Sequence, residues 1–171
     1  MQIDRTPSQI AAVILAAGAS TRMGTPKQIL QWRGKSLLRS ITETAIAADC
    51  DPIIVVLGAS GDRIQAQIID LPVQIINNPQ WQTGMGSSIR NGIQALLDRN
   101  PNVRAAILLL CDQPFVSPQI IWQLRSVYDA TNQSIVASRY QDTNGVPALF
   151  DRQLFPGTVH IGNHSSVRAG K

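Results

Sequence analysis

A run of small residues followed by two cations, within residues 15–27, is suited to binding a phosphate group. Small side chains leave room for backbone N–H groups to approach an anion closely. Arg22 offers a planar pair of donors, and Lys27 offers a compact positive charge. A tight turn would explain the small residues alone, but the two cations favour anion binding. The backbone predicted to contact the anion is that of Ala16, Ala17, Gly18, Ala19 and Ser20.

An aspartate, Asp112, directly follows the apolar run at residues 105–110 and is a candidate ligand for Mg²⁺. Hard cations prefer carboxylate oxygen, and the end of a buried strand is a place where such a cation could meet phosphates. The alternative is a turn or capping aspartate before Pro114. The neighbouring Cys111 is predicted to be a small buried hydrophobic residue rather than a nucleophile, because the sequence shows no partnered base.

A third segment that could bind a polar ligand begins at Gly84, where glycines and serines precede a helical pattern. Backbone N–H groups and hydroxyls at a helix start can bind the polar edge of a ligand, which makes Gly84 and Ser88 candidates. A serine cap beside a glycine turn is the structural alternative. Trp81 is predicted to pack against neighbouring residues rather than to line a pocket.

The elements that must position these residues alternate along the chain. Short, continuously apolar runs predict strands buried on both faces, and apolar residues at helical spacing predict helices between them. In the third helix, Arg90, Asn91 and Gln94 are predicted to face solvent. The fold class is therefore α/β, with a Rossmann-like, doubly wound, mostly parallel sheet and helices on both faces. The predicted strands are 11–15, 52–57, 73–76, 105–110 and 134–137, and the predicted helices are 35–48, 62–69, 87–99 and 118–130.

In such a sheet ligands bind beyond the carboxyl ends of the strands, and this rule selects the three segments described above. The chain of 171 residues is predicted to form one domain, 1–171, in which 156–171 is a loose or shortened tail because it lacks periodicity.

Composition narrows the classes of partner. The formal net charge is +4, but the basic residues are scattered singly, which argues against nucleic acid as a partner. No apolar stretch approaches the roughly 20 residues of a membrane span. Cys50 and Cys111 stand far apart, which favours reduced thiols in a cytoplasmic protein.

Three motifs give the chain a specific resemblance. LAAGASTRMGTPK at 15–27, NPQWQTGMGSSI at 78–89 and CDQP at 111–114 resemble the molybdenum cofactor cytidylyltransferase family of nucleoside-triphosphate transferases. The resemblance implies that Arg22 and Lys27 are catalytic, stabilising phosphate charge as pyrophosphate leaves, and that Asp112 holds Mg²⁺. It implies a nucleotide site made of Leu15, Ala16, Ala17, Gly18, Ala19, Ser20, Gly84 and Ser88.

The implied reaction moves CMP from CTP to the phosphate of molybdopterin, with CTP and the molybdenum cofactor as small-molecule partners and a molybdenum hydroxylase apoenzyme as a candidate protein partner. Two alternatives stay open. One is a nucleotidyltransferase with another acceptor, a sugar phosphate or methylerythritol phosphate. The other is a non-catalytic nucleotide- or cofactor-binding chaperone.

The chain departs from the family pattern at Asn163. Family members carry a glycine-aspartate pair whose aspartate completes the metal site, and Gly162-Asn163 stands at that place here. A neutral amide is a weaker Mg²⁺ ligand than a carboxylate, so Asn163 is a doubtful second metal position. We therefore expect weakened metal binding and slower catalysis.

Overall fold

The computed structural model describes residues 9–19, 24–59, 61–140 and 143–160. Its centre is a six-stranded sheet with the strand order β5-β4-β1-β6-β8-β7, accompanied by a two-stranded hairpin of β2 and β3. The strands are β1 (Ile10–Ala16), β2 (Gln31–Trp32), β3 (Lys35–Ser36), β4 (Ile53–Leu57), β5 (Gln74–Asn77), β6 (Ala105–Leu110), β7 (Ile135–Tyr140) and β8 (Thr143–Asp151).

Strand β1 lies in the middle of the sheet, and all its residues are buried. It pairs in parallel with β4 and β6, so that Ile14 stands beside Val55 on one side and Leu109 on the other. Strand β5 extends the parallel part beyond β4, whereas β8 runs antiparallel between β6 and β7. Since parallel strands end at the same edge, the loops after β1, β5 and β6 meet there.

Helices cover both faces of this sheet and divide the core in two. Alternate residues of β1 point to opposite faces: Ala12 and Ile14 join one apolar cluster, and Val13 and Leu15 join the other. The predicted α/β, doubly wound and mostly parallel fold is confirmed. The helices are α1 (Leu37–Ala47), α2 (Gly61–Gln65), α3 (Met85–Arg99), α4 (Pro118–Ala130) and α5 (Phe155–His160). Residues of α1, α2 and α4 contribute to the first cluster, and residues of α3 and α5 to the second.

Helix α3 approaches the sheet closely at Gly92. A Cβ atom at this position would stand 2.5 Å from Val13 Cγ1 and 3.1 Å from Val56 Cγ2. The absent side chain therefore sets how near the helix axis can come to β1 and β4, and with it where the start of α3 lies.

Strand β8 differs from the prediction, which left residues 143–151 outside any strand. Pro147 lacks the N–H that a ladder requires, so a proline in an apolar run argues against a strand. The structure accommodates it with a register shift, because Ala137 pairs with Ala148 while the next residue, Ser138, pairs with Gly145.

Two further boundaries differ. Lys35 and Ser36, predicted to open the first helix, form β3, and the Ser36 side chain caps α1 by accepting a hydrogen bond from the backbone N–H of Arg39 at 3.2 Å. Residues 156–160 of the segment predicted as a tail belong to α5, whose first residue, Phe155, is buried in the core. Within the described part of the chain, no helix has the length and apolar character needed to cross a membrane.

Candidate functional site

A cavity of about 400 Å³ opens at the carboxyl edge of the parallel strands. Its walls come from the loop after β1, the turn before α3 together with the start of that helix, and the end of β6. This volume is in the range of small-molecule sites. The lining residues are Leu15, Ala17, Gly18, Ala19, Lys27, Trp81, Gln82, Gly84, Met85, Ser88, Leu110, Cys111 and Asp112.

Most of the residues predicted from the sequence meet in this cavity. Those that line it are Leu15, Ala17, Gly18, Ala19, Lys27, Gly84, Ser88 and Asp112. Ala16 is instead the buried last residue of β1, where its carbonyl oxygen accepts a hydrogen bond. Ser20, Arg22 and Asn163 lie outside the described residues. Trp81, predicted to pack, also lines the cavity.

Lys27 and Asp112 form an ion pair at the edge of the cavity. The Lys27 Nζ atom donates to Asp112 Oδ2 at 2.6 Å, and each side chain keeps about a third of its surface exposed, 36% and 37%. Partial burial opposes the ammonium, but the hydrogen bond and the charge of Asp112 outweigh it and raise the pKa of Lys27. The site therefore presents a fixed cation and a fixed anion, and both can be reached by a ligand.

The loop after β1 is held by Gln28, which sequence reasoning missed. A 3-10 turn at Lys27–Ile29 turns the Gln28 side chain inward, where it is fully buried. Its Nε2 atom donates to the carbonyl oxygens of Ala16 at 2.8 Å and Gly18 at 2.7 Å, while Oε1 has no hydrogen-bond partner among the residues that the structure describes. Both loop carbonyls are thus tied back, away from the cavity. This leaves the loop N–H groups available to an anion.

Gly84 allows the chain to enter α3 at the cavity wall. Its φ angle is +108°, a conformation that residues with a Cβ rarely adopt. The first N–H groups of α3 have no partner within the helix, so this terminus suits a polar or anionic group. Nearby, Gly58 lets two segments meet, because a Cβ there would lie 2.5 Å from the Ala17 carbonyl oxygen and 2.7 Å from Trp81 Cβ.

A buried polar network supports the start of α3, and its centre is Asn78, the residue after β5. The Asn78 side chain is 1% exposed, and its amide nitrogen donates to the hydroxyl oxygens of Ser87 at 2.8 Å and Ser88 at 3.0 Å. Asn91 was predicted to face solvent, which is wrong: its amide nitrogen donates to Asn78 Oδ1 at 3.1 Å. Asn91 lies on the side of α3 that faces this network, so its amide nitrogen donates to Asn78 Oδ1 and to the Ser87 carbonyl oxygen instead of to solvent.

Among the described residues, the cavity lining offers one carboxylate to a divalent metal ion. Among the described residues no group of three or more histidine, cysteine, aspartate or glutamate side chains comes together. Magnesium is usually held by one or two carboxylates, with phosphate oxygens of the substrate and water completing the shell. Asp112, about a third exposed at the cavity edge, fits that arrangement as the one described carboxylate in the lining.

Comparison with known sequences gives consistent matches. Residues 12–169 match the sequence profile of the MobA-like NTP transferase domain. The protein named nicotine blue oxidoreductase, from Paenarthrobacter nicotinovorans, is 34% identical over 156 residues, which cover 88% of this chain and 74% of that protein. Bifunctional protein GlmU of Halorhodospira halophila is 31% identical over 138 residues, covering 80% of this chain but 28% of GlmU. This chain therefore corresponds to little more than a quarter of GlmU.

Solved structures show the same architecture. The crystal structure of Rv0371c from Mycobacterium tuberculosis H37Rv aligns with a TM-score of 0.76 at 30% identity, over 90% of this chain and 77% of that one. A crystal structure of Rv0371c in complex with manganese aligns with a TM-score of 0.73 at 30% identity, over 90% and 76% of the two chains. A protein of this architecture is thus known in complex with manganese.

Proposed function

Because this chain belongs to the family of MobA-like NTP transferase domains, we propose that it transfers CMP from CTP to the terminal phosphate of molybdopterin and releases pyrophosphate. Nucleotidyl transfer is the chemistry of the family. CTP as donor and molybdopterin as acceptor are the proposed specifics. They are supported by the motifs at 15–27, 78–89 and 111–114, and a molybdenum hydroxylase apoenzyme would then be a partner that receives the product.

The observation that carries this proposal is the ion pair of Lys27 and Asp112 at the mouth of a nucleotide-sized cavity. In the proposed reaction an oxygen of the acceptor phosphate attacks the α-phosphorus of CTP, and the bond from that phosphorus to the bridging oxygen breaks. The electron pair leaves with pyrophosphate. An ionised phosphate is already a nucleophile, so the protein has to position the reactants and stabilise charge rather than activate a nucleophile.

Each side of the ion pair has a role in that step. The Lys27 ammonium would neutralise charge developing on the leaving phosphates, and Arg22 is proposed to do the same. Asp112 would hold Mg²⁺, which when bound would neutralise phosphate charge and orient the triphosphate. The tied-back loop of Ala17, Gly18 and Ala19, together with Ser20, would bind phosphate through N–H groups, and Gly84 and Ser88 would border the base.

The experiment that tests the proposal is a pyrophosphate-release assay with each of the four nucleoside triphosphates, Mg²⁺ or Mn²⁺, and a panel of acceptors. We expect release with CTP and molybdopterin, and a loss of about 100-fold or more in kcat for Lys27→Ala. Preference for a sugar phosphate or methylerythritol phosphate would contradict molybdopterin as the acceptor. Preference for another triphosphate would contradict CTP as the donor. CTP binding without turnover on any acceptor would favour the chaperone alternative.

Asn163 offers a further arm of the same assay. An amide is a weaker ligand for a hard cation than a carboxylate, so we expect Asn163→Asp to raise turnover and to lower the metal concentration needed for half-maximal rate. An unchanged metal dependence would show that position 163 does not contribute to the metal site.

The likeness to nicotine blue oxidoreductase supports a second candidate function, a redox reaction of an organic substrate. Decolorisation of nicotine blue in the presence of a reduced nicotinamide cofactor measures it directly. Protein-dependent decolorisation without any pyrophosphate release would favour this function over nucleotidyl transfer.

A further inference from the structure

The orientation of the Asn78 side chain is fixed by a backbone group. The N–H of Gln80 donates to Asn78 Oδ1 at 2.9 Å, and a backbone N–H can only donate. The amide oxygen must therefore face Gln80, and the amide nitrogen must face α3. Asn91, whose amide nitrogen donates to the same oxygen, agrees with this orientation.

The two serines that receive these hydrogen bonds differ in what they do with their own hydrogen. Ser87 Oγ accepts from Asn78 and donates to a backbone carbonyl, with Gln80 O at 3.0 Å and Gly84 O at 2.8 Å in reach. Ser88 Oγ also accepts from Asn78, but its hydroxyl hydrogen goes to no group among the described residues. Ser88 is 3% exposed, and the surface it keeps lines the cavity.

A buried hydroxyl that has not donated its hydrogen needs an acceptor. Since the Asn78 amide occupies one lone pair of Ser88 Oγ and Ser88 lines the cavity, the hydroxyl hydrogen is left for an acceptor inside the cavity. We propose that Asn78 is a positioning residue for nucleotide recognition: it fixes Ser88 as a hydrogen-bond donor to an acceptor atom of the nucleobase. This inference rests on the proposed function, since it takes the cavity as the nucleotide site.

The chemistry restricts what Ser88 recognises. A ring nitrogen without hydrogen or a carbonyl oxygen of the base can accept from it, and both occur on cytosine. An amino group placed at the same point would face a donor and lose a hydrogen bond on leaving water, which disfavours that orientation of a base. Asn78 thereby acts on base selection although its own side chain is buried behind the serine.

Asn78→Asp tests the proposal because it inverts the direction of this hydrogen bond. Gln80 N–H, the Asn91 amide and the serine hydroxyls would all donate to the new carboxylate and keep it ionised. Ser88 would then donate inward and present only lone pairs to the base. We expect CTP affinity, measured by calorimetric titration with Mg²⁺, to fall roughly tenfold, the equivalent of one hydrogen bond.

Binding of inorganic tripolyphosphate is the second readout, since it reports on the phosphate subsite without a base. We expect its affinity to fall less in Asn78→Asp than the affinity for CTP, and the tripolyphosphate loss measures the effect of the added negative charge. Asn102→Asp is the matched control, because it makes the same chemical change at an exposed position before β6, at the opposite edge of the sheet, and should leave CTP binding unaltered.

A double-mutant cycle separates this role from a structural one. Ser88→Ala alone should also weaken CTP binding roughly tenfold. In the Ser88→Ala background, Asn78→Asp should cause no loss of CTP affinity beyond the loss that it causes for tripolyphosphate. Additive losses, or a loss of tripolyphosphate binding as large as that of CTP, would overturn the inference while leaving the proposed function intact. If the wild-type chain binds no nucleoside triphosphate, both the inference and the proposed function are overturned.

Discussion

At the scale of single residues, the ion pair of Lys27 and Asp112 defines what the site can do. Neither charge is needed to hold the fold, since both side chains are partly exposed and exposed ion pairs contribute little to stability. Two charges kept at the mouth of a cavity are better explained by a ligand that uses both. We therefore expect the two charges to contribute to function, and we expect their loss to leave the fold unaffected.

Lys27→Ala should therefore separate activity from stability. Under the proposed function, we expect kcat for pyrophosphate release to fall by about 100- to 1,000-fold, because the variant would lose a preorganised charge beside the leaving group. The melting temperature should change by less than about 2 °C. Lys35→Ala is the control, since it removes a lysine of the β2–β3 hairpin that pairs with Glu43 of α1 instead. Equal losses of activity in both variants would contradict a specific role for Lys27.

The site residues that the sequence predicted were those whose chemistry stands out in a loop: small residues, cations and an aspartate after a strand. Gln28 and Asn78 were missed for a physical reason. Amide side chains are usually exposed and carry no charge, so nothing in their type marks them as buried supports. Their roles depend on which backbone groups the fold brings beside them, and that information is tertiary.

Gln28→Leu tests the support of the loop after β1. Leucine has a side chain of similar size to glutamine, but it cannot donate the hydrogen bonds to the Ala16 and Gly18 carbonyl oxygens. These acceptors are then left unsatisfied. We expect a loss of about 1–3 kcal/mol in the free energy of unfolding, measured in urea, together with weaker tripolyphosphate binding. A loss of stability with unchanged tripolyphosphate affinity would show that Gln28 supports the fold but not the anion site.

At the scale of elements, the packing of α3 on the sheet decides where one wall of the cavity lies. Gly92→Ala would place a Cβ 2.5 Å from Val13 Cγ1, so the helix must shift or the core must deform. We expect a destabilisation of about 1–3 kcal/mol in urea unfolding. Gly86→Ala is the matched control on the same helix: its Cβ would meet nothing within 4 Å, and alanine favours helix. Similar destabilisation in both would contradict the close packing at Gly92.

Helix α1 is joined to the segment after α2 by Arg39, which donates to Asp70 through both terminal nitrogens, at 2.8 and 2.7 Å. The hydrogen bond and the charge of Arg39 lower the pKa of Asp70 to about 2, below its ordinary value. A carboxylate whose pKa is lower in the folded state stabilises the fold above its unfolded pKa and ceases to do so as the pH falls through the folded value.

The stability gap between wild type and Asp70→Asn should accordingly be constant near neutral pH and shrink as the pH falls from about 4 towards 2. Urea midpoints measured across this range check the prediction. Arg39→Gln should reproduce the same pH dependence, because it removes the other half of the pair. A gap that widens on acidification would contradict the assigned pKa direction.

Elements were predictable where one signal dominated. Continuous apolar runs predicted the buried parallel strands. Helix α4 was predicted with its observed bounds, Pro118–Ala130. Strand β8 was hidden because Pro147 and Gly145 oppose a strand locally, and only pairing with β6 and β7 overrides that preference. The hairpin of β2 and β3 is too short to show a period at all.

At the scale of the whole molecule, one sheet carries two cores, so the faces should not unfold separately. Leu38 of α1 and Leu96 of α3 are fully buried on opposite faces. We expect Leu38→Ala and Leu96→Ala each to lower stability by about 2–5 kcal/mol. Each variant should still unfold in one transition, seen identically by circular dichroism and tryptophan fluorescence. Separate transitions in either variant would contradict the prediction that residues 1–171 form one domain.

The Lys27–Asp112 ion pair has a consequence for the order in which ligands assemble. Under the proposed function, a divalent ion and a triphosphate each compete for one member of the pair, so whichever binds first has to separate the two charges. The ligand that binds second then meets a charged side chain that has already been released from the ion pair. The two ligands should therefore show positive heterotropic linkage: Mg²⁺ raises the affinity for CTP, and CTP raises the affinity for Mg²⁺ by the same factor. CTP titrations at several Mg²⁺ concentrations should give different linkage factors for wild type and Lys27→Ala. In the variant, Asp112 does not have to separate from Lys27 before it binds the metal ion.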